Sequence, residues 1–200
     1  ISFITTLLHG PNAQTFAEFR GNVYHRLGKD MIDYVKRDED SIWHCINLSE
    51  IRFTGTELSL VLHPEALKNN FFIQKIQWDY SFIHSNQETN GYLSRYVLDH
   101  PEHVLQMRLQ HRIYRHLTAS WDVSYHNRKG EFHDFSNQNQ LTPYPPYWLA
   151  NVRLNYTHKA WHVFTEVLNI FNEHYFDYGN LEQPGVWFRA GINYTWHKHR

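Results

Sequence analysis

The segment PGVWFRAGINYTW, residues 184–196, decides the fold class, because its apolar and polar side chains alternate at every second position. One side is apolar and has an aromatic residue at each end: Phe188, Ala190, Ile192, Tyr194 and Trp196. The other side is mostly polar: Trp187, Arg189, Gly191, Asn193 and Thr195. Alternate side chains of a β-strand point to opposite faces of its sheet, so this segment predicts a strand with one apolar and one polar face.

The same two-residue period recurs in residues 72–82, 105–113, 117–125 and 148–156. Extended over the whole chain, it predicts about nine strands joined in up-and-down order. Their expected bounds are 1–8, 16–35, 45–62, 72–85, 103–113, 117–126, 147–156, 161–171 and 186–196. The apolar face changes side near Leu27 and near Arg52, which predicts a β-bulge at each position.

Two further features favour lipid as the neighbour of the apolar face. Aromatic residues close both ends of that face, as where Trp148 and Tyr156 bracket smaller apolar residues. The connections alternate between short turns such as residues 114–116 and long loops such as residues 126–147. Interfacial aromatic girdles, and short turns opposite long loops, are typical of outer-membrane β-barrels. Alternation alone would also fit a soluble sandwich or a lipocalin-like barrel, in which the apolar face is buried.

Composition and charge exclude several other classes of protein. The chain of 200 residues is 42% hydrophobic and 16% aromatic. It has no continuous apolar run long enough for a membrane helix, which excludes a helical membrane protein. The formal net charge of −1, with basic residues scattered among acidic ones, argues against nucleic-acid binding. Cys45 is the single cysteine and cannot form an internal disulfide. No nucleophile motif surrounds any Ser, His and Asp set, so no enzymatic activity is expected.

Four stretches of the chain carry a resemblance to a known family: RLGKDMIDYV (residues 26–35), FTGTELSL (residues 53–60), LNIFNEHYFDYGN (residues 168–180) and the opening segment. Together they resemble the C-terminal part of a TonB-dependent outer-membrane receptor. The last two are similar to the closing hairpin of that family, and the first two to upstream barrel strands. The chain departs from the family at Val186, where an arginine is common, and at HKHR after Trp196, where the family usually ends on the aromatic residue.

The resemblance implies a transmembrane antiparallel up-and-down β-barrel of about 22 strands in the Gram-negative outer membrane. Residues 1–200 would be an incomplete portion of it, the last nine or so strands, because an open sheet edge in lipid leaves backbone groups unpaired. Receptors of this family take up scarce nutrients such as siderophore-bound iron, haem, cobalamin or glycans. The expected partners are outer-membrane lipid, upstream strands and a plug domain of the same parent chain, TonB through the absent N-terminal part, and a small-molecule cargo. No cofactor is expected.

Two sets of side chains are candidates for function. Binding residues concentrate on loops held by a rigid scaffold. Loop aromatics are therefore the candidate cargo-binding residues: Tyr92, Tyr96, Phe132, Phe135, Phe176 and Tyr178. Tyr144 and Tyr147 are either further binding residues or members of the outer girdle. Charged residues on the polar faces are candidates to face the lumen or the plug: Lys75, Asp79, Arg108, Arg112, Asp122, Arg153, Glu166 and Arg189. Glu57 is of the same kind.

The 16 histidines do not predict a metal site. Pairs such as His197 with His199, or His111 with His116, lack the spacing and the Cys or acidic neighbours of a zinc site. If the cargo is haem, loop histidines are the candidates to hold it: His100, His103, His126 and His133. Two alternatives stay open. One is a small closed outer-membrane barrel of about eight or ten strands, acting as an adhesin or a lipid enzyme. The other is a soluble β-barrel that binds a lipophilic ligand.

Overall fold

The structure is a computed structural model that describes residues 1–9, 15–37, 42–68, 71–86, 92–94 and 100–196. This part of the chain is all-β, and the bounds of its strands are β1 Ser2–His9, β2 Thr15–Arg37, β3 His44–Leu62, β4 Ile73–Ser85, β5 Tyr92–Ser94, β6 Pro101–Tyr114, β7 Leu117–Arg128, β8 Glu131–Asp134, β9 Gln140–Pro143, β10 Tyr147–His158, β11 Trp161–Leu168, β12 Phe176–Tyr178, β13 Leu181–Glu182 and β14 Trp187–Tyr194. One turn of 3-10 helix spans Pro64–Ala66. Among the described residues, no helix is long and apolar enough to cross a membrane.

Nine strands form one antiparallel sheet in chain order, β1-β2-β3-β4-β6-β7-β10-β11-β14. The predicted order of nine strands is therefore confirmed. Short strand β5 pairs with the outer part of β2, and β8–β9 and β12–β13 are separate hairpins. The two-residue turns 115–116 and 159–160 lie at one end of the sheet, which we call the short-turn end. The two hairpins lie at the opposite end, the long-loop end.

Strand β2 keeps a constant antiparallel register with β3 along the whole of their pairing. The bulges predicted near Leu27 and Arg52 are therefore wrong. The apolar residues that change side in this region instead build a small core at the long-loop end. Met31 and Phe53 pack there against Ile51, which is fully buried. The switch of the apolar pattern thus reflects a local core, not an extra residue in the ladder.

One face of the sheet is polar across adjacent strands. A row of polar residues stands in register on β4, β6, β7 and β10: Gln77, Arg108, Asp122 and Asn151. The neighbouring row points to the opposite face and is apolar: Trp78, Met107, Val123 and Ala150. The alternation read from the sequence therefore extends across the sheet and gives it one polar face and one apolar face.

The apolar face is not a buried core. Trp121 is 38% exposed and Ile192 is 62% exposed. The chain has 13438 Å² of accessible surface, whereas a compact protein of its mass would have about 10,000 Å². A soluble barrel would enclose these side chains in a dry interior, whereas this sheet leaves them exposed. In a barrel that crosses a membrane, lipid would cover this face.

Candidate functional site

Five aromatic rings gather at the long-loop end, and we call them the loop cluster: Phe132, Tyr144, Tyr147, Tyr175 and Phe176. The ring of Phe132 lies 4.9 Å from that of Tyr144 and 5.1 Å from that of Phe176, centroid to centroid. The ring centroids of Tyr147 and Tyr175 are 4.4 Å apart. Phe132, Tyr144 and Tyr147 are each only 5% exposed. The cluster therefore packs the β8–β9 hairpin against the β12–β13 hairpin.

Polar contacts fix the same junction. The Arg128 guanidinium donates to Asp177 Oδ1 at 3.1 Å and to the Asp177 carbonyl oxygen at 2.5 Å. It also lies 4.9 Å from the centre of the Tyr144 ring. The Gly179 amide donates to the Tyr144 hydroxyl at 2.7 Å. Burial, and then the charge of Asp177, raise the pKa of Tyr175 above its ordinary value. Because these contacts join the β12–β13 hairpin to residues just before and just after the β8–β9 hairpin, the two loops are expected to move as one unit.

The loop aromatics predicted to bind cargo fall into three groups. Phe132 and Phe176 stack on each other inside the loop cluster. Phe135 and Tyr178 are 71% and 50% exposed, so their rings are accessible to a ligand. Tyr96 and the side chain of Tyr92 lie outside the described residues. Cargo binding by these six residues stays a prediction, and the structure indicates that the first pair supports the loops while the second pair faces solvent.

Tyr144 and Tyr147 belong to the loop cluster and not to an outer aromatic girdle. Tyr147 pairs with His126 on the polar side of the sheet, and their rings stack 5.0 Å apart. The sequence reading missed Asp177 and Arg128, which fix this junction. A signal for Asp177 does exist, since the residue alternates with two aromatic residues of β12 and so points to the opposite side from both.

All eight charged residues predicted to face the lumen or the plug share the polar face by register. Three of them form a first ion-pair group centred on Arg108. Arg108 donates to Asp122 Oδ2 at 3.1 Å and to Asp79 Oδ2 at 3.3 Å. Asp79 also accepts hydrogen bonds from Ser59 and Gln77, each at 2.7 Å. This group therefore has two carboxylates for one guanidinium.

A second ion-pair group, on β10, β11 and β14, has the opposite balance. Glu166 Oε2 accepts a 2.5 Å hydrogen bond from Arg189 Nε and lies 3.9 Å from Arg153 Nη1. The Arg153 guanidinium also lies 4.0 Å above the ring of Phe164. Gly191 makes room for that ring, since an added Cβ would stand 2.4 Å from Phe164 Cε1. This group has two guanidiniums for one carboxylate.

The other two of these eight charges, and Glu57, have separate surroundings. Lys75 lines a cavity of about 210 Å³ between the two ion-pair groups. Arg112 lines a recess near the short-turn end that also contains His116. Glu57 accepts a 3.1 Å hydrogen bond from the Asn22 amide. Whether any of these charges meets a plug stays a prediction.

The histidines do not gather into a metal site among the described residues. The four candidates to hold haem lie apart. His103 is on the apolar face, 4.8 Å from the ring of Phe82, and His126 stacks on Tyr147. His100 meets Phe53 edge to face, and His133 contacts the Asn139 carbonyl oxygen. His111 accepts a hydrogen bond from Trp121, and His116 packs against His158. His197 and His199 lie outside the described residues.

A profile of the family described as TonB dependent receptor-like, beta-barrel matches residues 10–170 of this chain. The chain belongs to this family. TonB-dependent receptors are outer-membrane β-barrels, which agrees with the antiparallel sheet and its two unlike faces. They are receptors and transporters, not enzymes. A search of curated proteins found no match.

Three solved structures share the fold of the sheet. The FrpB iron transporter from Neisseria meningitidis is similar with a TM-score of 0.61 and 16% identity, over 90% of this chain and 29% of that one. The ferric-catecholate import receptor Fiu from E. coli is similar with a TM-score of 0.60 and 15% identity, over 90% of this chain and 25% of that one. The ferric enterobactin receptor PfeA from Pseudomonas aeruginosa, a mutant in complex with enterobactin, is similar with a TM-score of 0.58 and 15% identity, over 89% of this chain and 29% of that one. The chain thus spans less than a third of each of these receptors.

Proposed function

We propose that this chain forms part of the barrel wall of an outer-membrane receptor that takes up a scarce nutrient with energy from TonB. The family match over residues 10–170 carries this proposal. The two faces of the sheet support it, because an exposed apolar face suits lipid and a polar face suits a filled or watery lumen. Residues 1–200 would be the C-terminal portion of the barrel domain, with the plug domain in the same parent chain.

Siderophore-bound iron is the first cargo to test, and haem, cobalamin and glycans follow. The three similar structures are an iron transporter, a ferric-catecholate receptor and a ferric enterobactin receptor. Ferric siderophores are bulky, so a surface of exposed aromatic rings is a suitable first contact. Phe135 and Tyr178 supply such rings at the long-loop end, on hairpins that the loop cluster holds together.

Each part of the receptor would then have its own role. The sheet gives a rigid wall, the paired hairpins capture cargo, and a plug that moves when TonB pulls on it opens the route. The two ion-pair groups on the polar face would contact that plug or order the lumen wall. In this scheme no residue of the chain performs chemistry on the cargo.

Deletion of the gene in its source bacterium tests the proposal. Growth under iron limitation should then fail on the siderophore that the receptor imports, and a plasmid copy should restore it. A strain that lacks TonB is the matched control and should fail on the same siderophore even with the plasmid copy. If the deletion left the uptake of every cargo class unchanged, a transport role would be contradicted. A closed barrel of eight or ten strands without a plug would support the adhesin or lipid-enzyme alternative instead.

A further inference from the structure

The cavity beside Lys75 lies on the polar face between the two ion-pair groups. Its volume of about 210 Å³ corresponds to roughly seven water molecules at about 30 Å³ each. The polar and charged residues that line it include Lys75, Arg108, Asp122, Asn151, Arg153 and Glu166. The space is therefore large enough for a small charged group, and its walls carry both donors and charges.

The charges around this cavity do not balance. With both ion-pair groups included, there are four cations and three carboxylates: Lys75, Arg108, Arg153 and Arg189 against Asp79, Asp122 and Glu166. Each carboxylate already accepts hydrogen bonds or ion pairs from the arginines. Within the described part of the chain, the Lys75 ammonium has no ion pair or hydrogen bond. Lys75 is therefore the surplus cation.

Two other residues that line the cavity, both on β10, have donors to spare. Asn151 Oδ1 accepts the Asn169 amide at 2.9 Å, which leaves the two N–H groups of its side-chain amide free to donate. Arg153 donates its Nε to Asn155, and its Nη1 is 3.9 Å from Glu166, beyond hydrogen-bond length. The cavity thus combines an ammonium, an amide and part of a guanidinium, all of which donate.

We propose that this cavity is an anion site that takes a carboxylate, held by Lys75 with help from Asn151 and Arg153. The inference rests on the proposed function, because a plug that fills the closed barrel would take bulk water away from its polar face. A partly buried cation without a partner is costly once water leaves, and a carboxylate both neutralises it and accepts its hydrogen bonds. The carboxylate can come from an Asp or Glu of a polypeptide segment that fills the lumen, or from a small anionic solute.

Carbodiimide cross-linking of the full-length receptor in outer membranes tests the polypeptide source. The reagent joins an ammonium to a carboxylate only when the two are in contact. Mass spectrometry should find Lys75 joined to an Asp or Glu outside the nine-strand sheet, while Lys68, an exposed lysine at the short-turn end, should give no such product. A product that joins Lys75 only to Asp79, Asp122 or Glu166 would exclude the polypeptide source, and together with no protection by citrate it would overturn the proposal.

Acylation of Lys75 by an amine-reactive ester tests the solute source, with citrate as the probe. At a citrate concentration that occupies about 90% of the sites, the acylation of Lys75 should slow about tenfold relative to that of Lys68. Protection without a cross-link assigns the site to a solute, and a cross-link without protection assigns it to a polypeptide. The absence of both the outside cross-link and the protection would overturn the anion site. The siderophore growth test is independent of both readouts, so a failed anion site and a failed transport role are distinguishable.

Discussion

The Tyr147 hydroxyl donates a 2.9 Å hydrogen bond to Asp177 Oδ1. This bond joins the first residue of β10, at the rim of the sheet, to the middle of β12 in the next long loop. The same carboxylate accepts from Arg128 at the end of β7. One aspartate therefore connects two sheet strands to a hairpin that is not part of the sheet.

We expect Tyr147→Phe to loosen the β12–β13 hairpin while leaving the sheet intact. The change removes one hydrogen bond from a largely buried hydroxyl, at a cost of about 1 kcal/mol. The rate of protease cleavage within residues 169–186 of the purified receptor measures it. Tyr114→Phe, at a 65% exposed ring near the short-turn end, is the matched control and should leave that rate unchanged. Equal rates in the two variants would mean that the bond does not order the hairpin.

We expect Glu166→Gln to destabilise the barrel by about 1–3 kcal/mol, since it removes a charged acceptor shared by two arginines. The Glu166 side chain is only 12% exposed, whereas that of Arg189 is half exposed, so water offsets part of the loss. The midpoint of thermal unfolding in detergent measures the effect. Glu57→Gln, which removes a carboxylate bonded to the Asn22 amide, is the control and should shift the midpoint less. A larger shift at Glu57 would argue against the shared-acceptor account.

We expect Gly191→Ala to displace the Phe164 ring and, with it, the Arg153 guanidinium that lies over the ring. Overpacking of this kind costs about 1–3 kcal/mol. A double-mutant cycle with Phe164→Leu, measured by denaturant unfolding, isolates the steric part. Most of the cost of the alanine should disappear in the leucine background. Additive costs would show that the penalty arises in the strand itself and not from the ring.

We expect Ile192→Lys to hinder assembly far more than Asn193→Lys, although the two residues are adjacent on β14. Ile192 belongs to the apolar face and is 62% exposed, while Asn193 belongs to the polar face. A lysine on a lipid-facing position costs up to about 2–4 kcal/mol near the bilayer centre and little in a polar lumen. The fraction of heat-modifiable, folded receptor in outer membranes measures the difference. Equal losses in both variants would contradict the assignment of the apolar face to lipid.

Most of the sheet could be predicted from the sequence. Its strand order, its strand bounds within a few residues and its two faces follow from a period of two that each strand carries in its own residues. Within the sheet the pattern misled around Leu27 and Arg52, where apolar side chains serve a local core around Ile51 and no longer report which face meets lipid. It also missed the short strands β5, β8, β9, β12 and β13, which are too short to show a period of two. A local core and a β-bulge cannot be distinguished from the sequence, because each places apolar residues at positions where the alternating pattern would put polar ones.

The sequence by itself determined that this protein is a sheet with one apolar and one polar face, because alternation is a local property of the chain. Only the tertiary structure decided that Phe132 is buried and Phe135 exposed, or that Arg128 and Asp177 meet across 49 positions. It alone also divided the polar-face charges into two ion-pair groups and left Lys75 outside both. Such contacts depend on which distant side chains the register and the loops bring within a few ångström. The type of a residue does not show which distant residue it will contact.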